Sequence, residues 1–168
     1  MVGAGVGLLT GGEIVKLVAN LIALLVMIFP TILLADDFSI EEENLRPLPM
    51  AIDTAIRSDK TFADYKDCEL TGRFIDISGK EKSGFAATIK YSCGMMGAYN
   101  GPIWLIDMTA NPLKVVLFEI GAGFEVGKKS HNGLRDIQTG GGSAGTCNTT
   151  LWKYESGRYV RCKAKSCV

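Results

Sequence analysis

The hydrophobic positions of this 168-residue chain fall into two regimes, and the first is a continuous apolar run. Leu17–Ala35 holds no charged residue, with Lys16 directly before it and Asp36 directly after it. A positive flank, an apolar stretch and a small residue before a polar start are typical of a secretory signal, which predicts cleavage after Ala35. These 19 residues also nearly span a hydrocarbon core of ~30 Å, so a retained membrane anchor is the alternative. Both interpretations place residues 36–168 outside the cytoplasm.

The second regime begins with a polar segment and a short amphipathic pattern. Residues 36–47 are acidic and polar, which predicts a loose leader in front of a single domain at 48–168. In Met50–Asp59 the apolar residues Ile52, Ala55 and Ile56 are spaced to lie on one side of a helix. The sequence therefore predicts one short N-terminal helix.

A period-two pattern in the next segment predicts a β-hairpin. Phe85–Cys93 is apolar at its odd positions, and Cys68–Phe74 alternates in the same way upstream. The segment between them, 78–84, is rich in turn formers. Folding the chain about Lys80–Glu81 makes the two apolar faces coincide. The predicted partners are Phe74 with Ala87, Leu70 with Tyr91, and Cys68 with Cys93.

Further short strands follow, separated by glycine-rich turn signals. The predicted strands are Ile103–Asp107, Lys114–Ile120, Phe124–Val126, Leu134–Gln138, Thr149–Tyr154 and Arg158–Lys163. Closely spaced strands with such turns argue for a mostly β fold, as an antiparallel sheet, a sandwich or a small barrel.

Composition and charge narrow the class of partner. The chain has 18 basic and 18 acidic residues, so no charge surplus points to nucleic acid or to an anionic membrane surface. Contact with a membrane is expected only through residues 17–35, if they are not cleaved. The expected partner is an envelope component or a secreted protein.

The five cysteines are expected to pair in an oxidising compartment. The hairpin register favours Cys68–Cys93. We expect Cys147 to join Cys162 or Cys167, and a last hairpin that turns at Ser156-Gly157 favours Cys167. One cysteine is then left over.

Metal binding and cofactor chemistry find little support in the sequence. The cysteine spacings lack a C-x-x-C pair, and His131 is the only histidine of the chain. No metal site and no cofactor are therefore expected.

The most distinctive polar stretch is Ser130–Ile137. Its Asn132-Gly133 pair supports a tight turn with positive φ. A functional interpretation is a polar loop site that uses His131, Arg135 and Asp136. The structural alternative, which we favour, is that Asp136 accepts hydrogen bonds from the turn backbone and Arg135 is solvated.

Two stretches of the chain resemble known proteins. His131–Ile137 reads N-G-x-x-D within a strand, and Leu151–Tyr159 contains a Y-x-x-G-x-Y hairpin. The combination is similar to small exported bacterial β domains of unassigned function. It is also distantly similar to a blade of the integrin-type FG-GAP repeat, whose acidic D-x-D-x-D-G calcium loop this sequence lacks, so calcium binding is not implied.

The turn Ser156–Tyr159 resembles the Ser-Gly-x-x-Tyr loop of periplasmic lysozyme inhibitors, with one residue fewer between Gly and Tyr. This resemblance implies that Ser156 and Tyr159 are the loop residues offered to the cleft of the enzyme.

These observations favour an exported, non-catalytic binding module that engages a protein or an envelope component. The expected contact surface is the exposed turns at 94–101 and 155–158, and the binding residues include His131, Asn132, Arg135 and Asp136 with Ser156 and Tyr159. One alternative is an inhibitor of an envelope-degrading hydrolase such as lysozyme. The other is a small enzyme that uses the polar loop of His131, Arg135 and Asp136.

Overall fold

Ten strands, one α-helix and two short 3-10 helices make up the part of the chain that the structure, a computed structural model, describes: residues 37–94, 100–141 and 148–166. In chain order they are β1 (Phe38–Ser39), β2 (Arg46–Pro47), α1 (Met50–Arg57), a 3-10 helix (Lys60–Tyr65), β3 (Leu70–Ile75), β4 (Gly84–Ile89), a second 3-10 helix (Tyr91–Cys93), β5 (Gly101–Asp107), β6 (Lys114–Gly121), β7 (Gly123–His131), β8 (Leu134–Gly141), β9 (Asn148–Glu155) and β10 (Arg158–Ser166). The predicted targeting segment 1–35, together with Cys147 and Cys167, lies outside the described residues.

The strands form two antiparallel sheets of five strands each. The first, which we call the outer sheet, has the order β1-β7-β8-β9-β10, and the second, the middle sheet, has the order β2-β3-β4-β5-β6. The prediction of a mostly β, antiparallel fold with one short helix is confirmed. Of the arrangements left open by the sequence, the described strands adopt two stacked sheets and not one closed barrel.

The middle sheet is buried on both faces, which explains why its central strands read as nearly continuous apolar runs. One face packs against the outer sheet around Ile103, Leu105 and Ile137. The other face packs Trp104 against α1 and the first 3-10 helix. Every residue of β4 and β5 is buried as a result. Residues 37–94, 100–141 and 148–166 therefore form three layers, in which two hydrophobic cores share one sheet.

The helix α1 forms where the sequence predicts it, with Ile52 and Ile56 fully buried against the middle sheet. Asp53 and Arg57, one turn apart on its exposed side, form an ion pair of 2.8 Å. The helix layer is also tied to the sheet by a hydrogen bond of 2.9 Å, which the Trp104 indole donates to the Thr61 hydroxyl.

The predicted register of the first hairpin is wrong by two residues. Leu70 pairs with Ile89 and not with Tyr91, and Phe74 pairs with Phe85 and not with Ala87. Because the error is even, the predicted apolar faces still coincide. The strand ends at Ile89 because the chain turns into the 3-10 helix Tyr91–Cys93 instead of continuing as a strand.

The predicted Cys68–Cys93 disulfide is present despite the different register, with the two Cα atoms 5.4 Å apart. The 3-10 helix brings Cys93 back toward Cys68, so the bridge closes over the end of the hairpin and not across paired strands. Cys162 is a free thiol. The predicted Cys147–Cys167 bridge involves residues outside the described ranges.

The segment 36–47, predicted as a loose leader, contributes to the fold. Phe38 is buried in the core between the sheets and stacks on Phe124 at a ring distance of 5.5 Å. Glu42 accepts a hydrogen bond of 2.5 Å from the Arg73 guanidinium of β3. The ordered fold therefore begins before position 48.

Candidate functional site

Four chain reversals, two from each sheet, meet at one end of the sandwich, which we call the hairpin end. They are the loops 76–83 and 108–113 of the middle sheet and the turns 132–133 and 156–157 of the outer sheet. The Arg135 amide donates a hydrogen bond of 2.6 Å to the Ile77 carbonyl, which joins the two sheets at this end. Lys114 extends its ammonium beside Gly157. Loops of both sheets thus form one continuous surface.

The two turns of the outer sheet are held in tight conformations by their residue types. Asn132 and Gly133 have φ values of 49° and 89°, and Ser156 and Gly157 have values of 50° and 83°. Two successive residues with positive φ match the twist of a two-residue hairpin, so the Asn-Gly turn predicted from the sequence is confirmed. The Asn132 side-chain amide donates a hydrogen bond of 2.8 Å to the Tyr154 carbonyl, which links one turn to the neighbouring hairpin.

A groove of about 370 Å³ opens at the hairpin end between loops of the two sheets. Its lining includes, from the middle sheet and its loops, Ser78, Lys80, Asp107 and Thr109, and, from the outer sheet, Asn132 and Tyr154. This volume lies in the range of ~300–1,000 Å³ that is typical of small-molecule sites. The groove is therefore large enough for a ligand or for a side chain of a partner.

Asp107 supplies a carboxylate at the floor of this groove. The residue is 6% exposed, and its Oδ1 accepts hydrogen bonds from the Thr109 amide at 2.8 Å and the Thr109 hydroxyl at 2.6 Å. The other oxygen, Oδ2, accepts no hydrogen bond among residues 37–94, 100–141 and 148–166, and it is not one of their fully buried unpaired atoms. A desolvated carboxylate with an unused acceptor is a strong recognition group for a donor.

A second polar group of the groove is the Ser78 hydroxyl, which is fully buried. Within the described part of the chain its oxygen has no hydrogen-bond partner. Buried hydroxyls are nearly always paired, so this unpaired oxygen is an exception within the groove lining.

Two tyrosines back the groove with their rings 5.5 Å apart in an edge-to-face arrangement. Burial, and then the negative charge of Asp107, raise the pKa of Tyr154 above its ordinary value. Burial raises the pKa of Tyr159 much further, with the charges of Asp136 and Asp107 acting in the same direction. Both phenols therefore remain protonated at neutral pH and keep their capacity to donate.

The polar loop predicted from the sequence does not assemble as one cluster. The His131 ring nitrogen Nδ1 lies 2.5 Å from Asp136 Oδ1, and the two side chains are 35% and 6% exposed. Arg135 instead pairs with Asp76 at 3.3 Å and is only 20% exposed. Neighbouring residues of a strand project to opposite faces, which separates Arg135 from Asp136.

The structural alternative for this loop is also corrected in its detail. Asp136 was expected to accept hydrogen bonds from the turn backbone, but its carboxylate instead contacts the His131 ring. Arg135 was expected to be solvated, but it forms an ion pair with Asp76. The pair of His131 and Asp136 ties the end of β7 to the start of β8. This contact therefore spans the Asn132-Gly133 turn between the two strands.

Tyr159 is not placed as the resemblance to lysozyme inhibitors implies. It is 5% exposed in the core between the sheets, and its hydroxyl donates a hydrogen bond of 2.7 Å to the Arg135 carbonyl. Ser156, by contrast, is exposed at the tip of its turn. Of the two implied residues, only Ser156 is exposed.

The two turns expected to share a contact surface lie at opposite ends of the sandwich. Gly94 follows β4 at the end where Leu70 pairs with Ile89, whereas the 155–158 turn is at the hairpin end. Residues 95–99 lie outside the described ranges. The 155–158 turn is instead a neighbour of loops 76–83 and 108–113.

Sequence reasoning missed the groove residues Ser78, Asp107 and Thr109. A signal for Asp107 exists, since it is the one charged residue in the apolar strand β5, and a threonine two positions later is typical of a side-chain turn. Ser78 carries no such signal because its importance depends on what surrounds it.

Metal ligation and membrane crossing find no support in the part of the chain that the structure describes. Within 37–94, 100–141 and 148–166, no group of three or more His, Cys, Asp or Glu side chains could hold a metal ion. Over the same residues, no helix has the length and apolar character needed to cross a bilayer.

Comparison with known proteins adds no relative to this picture. No protein-family model matches the chain, and neither curated proteins nor solved structures yield a match. The resemblances noted from the sequence therefore stay predictions, and the role of the hairpin end has to be inferred from its own geometry.

Proposed function

We propose that the folded domain is a non-catalytic exported module that binds a protein or a cell-envelope component through its hairpin end. The observation that carries this proposal is the convergence of four chain reversals from two sheets at one end of the sandwich, where three of them line a groove that contains the largely buried carboxylate of Asp107. Loops on a rigid scaffold are the usual place for recognition, since the scaffold fixes their relative positions. A preformed surface also loses little conformational entropy on binding.

The rigidity of this surface supports binding. Two of its turns have the positive-φ geometry of tight hairpins, and the third loop is held by Asp76, whose Oδ1 accepts from the amides of Ser78 at 3.0 Å and Gly79 at 2.6 Å. In this proposal the His131–Asp136 hydrogen bond secures a turn and performs no proton transfer.

Two further features support export. The Cys68–Cys93 disulfide is typical of proteins that fold in an oxidising compartment. The apolar segment 17–35 predicted as a targeting sequence would deliver the domain there.

Site-specific photo-crosslinking in intact cells tests the proposal. A benzophenone amino acid is placed at Lys80 or at Arg158, both exposed at the hairpin end, and at Glu69 as the control. Glu69 is exposed but lies beside the Leu70–Ile89 pair, at the opposite end of the middle sheet. We expect the same adduct pattern from the two hairpin-end positions, with one mass for a protein partner and a ladder for a polysaccharide, and no adduct from position 69.

Two results would contradict the proposal. One is the absence of any adduct from both hairpin-end positions at the expression level of the chain. The other is an adduct that forms with equal yield from position 69, since this would place the contact surface elsewhere.

A further inference from the structure

The groove at the hairpin end is lined by charged, hydroxyl and aromatic side chains, and this combination identifies a class of ligand. We infer that the groove binds a neutral saccharide ring, a ligand that presents several hydroxyl groups around an apolar face. The inference rests on the proposed function, because it assumes that the hairpin end is the binding surface. It deepens that function by naming what the surface recognises.

The charges of the lining favour a neutral ligand. Asp107 contributes one negative charge at the floor, and Lys80 contributes one positive charge from the loop above. These two charges cancel, so neither a multiply charged anion nor a cation finds a lining of the opposite sign. A neutral ligand with both donors and acceptors uses both groups.

The unsatisfied polar atoms favour hydroxyl groups in particular. Asp107 Oδ2 can only accept, and charge-assisted hydrogen bonds from hydroxyls to carboxylates are short and strong. The unpaired hydroxyl of Ser78, a residue of the groove lining, can both donate and accept. A sugar hydroxyl, which also donates and accepts, matches either group.

The apolar part of the lining favours a ring. The partly exposed Tyr154 borders the same groove, and Leu134, which is buried in the core between the sheets, lies behind it. Tyrosine suits a ligand that is apolar on one side and polar on the other, since its ring packs while its hydroxyl bonds. Pyranose rings have this division between their C–H face and their hydroxyl rim.

A saccharide at this position could belong to an envelope polysaccharide or to a glycan on a secreted protein. The chemistry of recognition is the same for both. The crosslinked adduct described above separates them, since a glycoprotein yields an adduct of defined protein mass that shrinks after deglycosylation, whereas a polysaccharide yields a ladder.

Nuclear magnetic resonance of the full-length chain, in a non-glycosidic detergent, tests the inference. The probes are glucose and N-acetylglucosamine, with methylammonium and inorganic phosphate as charged counterparts. We expect saturable shifts of the amides of Ser78, Thr109 and Gly133 with at least one of the two sugars. Saturable shifts at these amides with methylammonium or phosphate, and none with either sugar, overturn it.

Three variants complete the test. Asp107→Asn keeps the Thr109 hydrogen bonds and is expected to weaken sugar binding about tenfold or more, since a charge-assisted bond is lost. Ser78→Ala is expected to weaken it severalfold while the urea midpoint stays equal or rises, because the orphan hydroxyl is removed. Glu69→Gln, at the other end of the sheet, is the control and is expected to bind as the wild type does.

The outcomes of the two experiments are distinguishable. Hairpin-end adducts that persist undiminished in Asp107→Asn and in excess sugar retain the proposed function and overturn the saccharide inference. Unchanged sugar affinity in both Asp107→Asn and Ser78→Ala overturns the inference as well. If Asp107→Asn does not fold, the Ser78→Ala result alone decides.

Discussion

The Tyr159 hydroxyl lies inside the sandwich, where it donates to the Arg135 carbonyl at 2.7 Å. Burial, followed by the charges of Asp136 and Asp107, raises the pKa of this phenol well above its ordinary value of 10.0. The folded state therefore retains the proton at a pH where the unfolded chain loses it. Since the folded state binds more protons above pH 10, the free energy of unfolding must decrease as the pH rises through that value.

Replacing Tyr159 by phenylalanine tests this reasoning in two ways. Near neutral pH, we expect Tyr159→Phe to lower the free energy of unfolding by about 1 kcal/mol, since the Arg135 carbonyl loses its donor. Above pH 10, the wild type should lose up to about 1.4 kcal/mol per pH unit from this group, and the variant should lack that component. Urea unfolding at several pH values between 7 and 11 measures both effects.

Tyr154→Phe is the matched control for this prediction. Its ring packs against that of Tyr159, but its hydroxyl has no hydrogen-bond partner in the described part of the chain. It should therefore change the stability at neutral pH by less than Tyr159→Phe does. Parallel stability curves of wild type and Tyr159→Phe above pH 10 would show that another group causes the alkaline loss.

At the scale of single elements, β3 illustrates how a close approach dictates a residue type. A Cβ atom on Gly72 would lie 2.2 Å from the Ala86 carbonyl oxygen and 2.5 Å from the Phe85 ring. The oxygen belongs to the backbone of the paired strand and cannot move without disturbing the ladder. Glycine is thus required here for space, although the φ angle of this strand would accept other residues.

We expect Gly72→Ala to lower the free energy of unfolding by about 1–3 kcal/mol, the range found when extra atoms are forced into a packed site. Gly140→Ala, in β8, is the control because a Cβ there meets no atom within 4 Å, and its effect should stay within about 0.5 kcal/mol. Thermal or urea denaturation of both variants provides the comparison. Equal effects would show that the β3–β4 pair can open without a penalty.

The position of the helix and of eight of the ten described strands was predicted, but β1 and β2 were not, because they lie in the segment expected to be a loose leader. The ends of the predicted elements were less accurate. The strands β5 to β10 occur where the apolar pattern and the turn signals place them, and α1 buries its two predicted isoleucines. The end of β4 was missed because Tyr91 and Cys93 continue the alternation, although the chain there forms a 3-10 helix. Tyr91 is largely exposed, so its apolar character was misleading.

At the scale of the whole molecule, one sheet serves two cores. The middle sheet packs on the outer sheet through one face and on α1 and the first 3-10 helix through the other. Neither core can be lost without exposing a face of this sheet. We therefore expect the described domain to unfold as one cooperative unit.

Ile56→Ala, in the helix layer, tests this cooperativity. Removing a fully buried isoleucine should lower the free energy of unfolding by about 2–5 kcal/mol. The fluorescence of Trp104, isolated by Trp152→Phe, reports on the helix-side core, and far-UV circular dichroism reports mainly on the sheets. Both transitions should shift together. A Trp104 transition that precedes the loss of circular dichroism would mean that the helix layer detaches first.

Two local features, one at the candidate site and one at the opposite end of the middle sheet, were predicted correctly, whereas the grouping of polar side chains was not. The tight Asn132-Gly133 turn and the Cys68–Cys93 bridge were predicted because each depends on residues close in the chain or on one hairpin. The grouping of His131 with Arg135 and Asp136 failed because adjacency in sequence places strand residues on opposite faces.

By itself the sequence determined the strands, the helix and the turns, because hydrophobic periodicity and turn chemistry act over a few neighbouring residues. Only the tertiary structure decided which faces are buried, where the register of the first hairpin falls, and that loops of both sheets meet around the groove of Asp107. These features depend on contacts between residues far apart in the chain, and packing of whole layers selects them. A local sequence pattern does not specify which distant residues a face or a loop will contact in the folded chain.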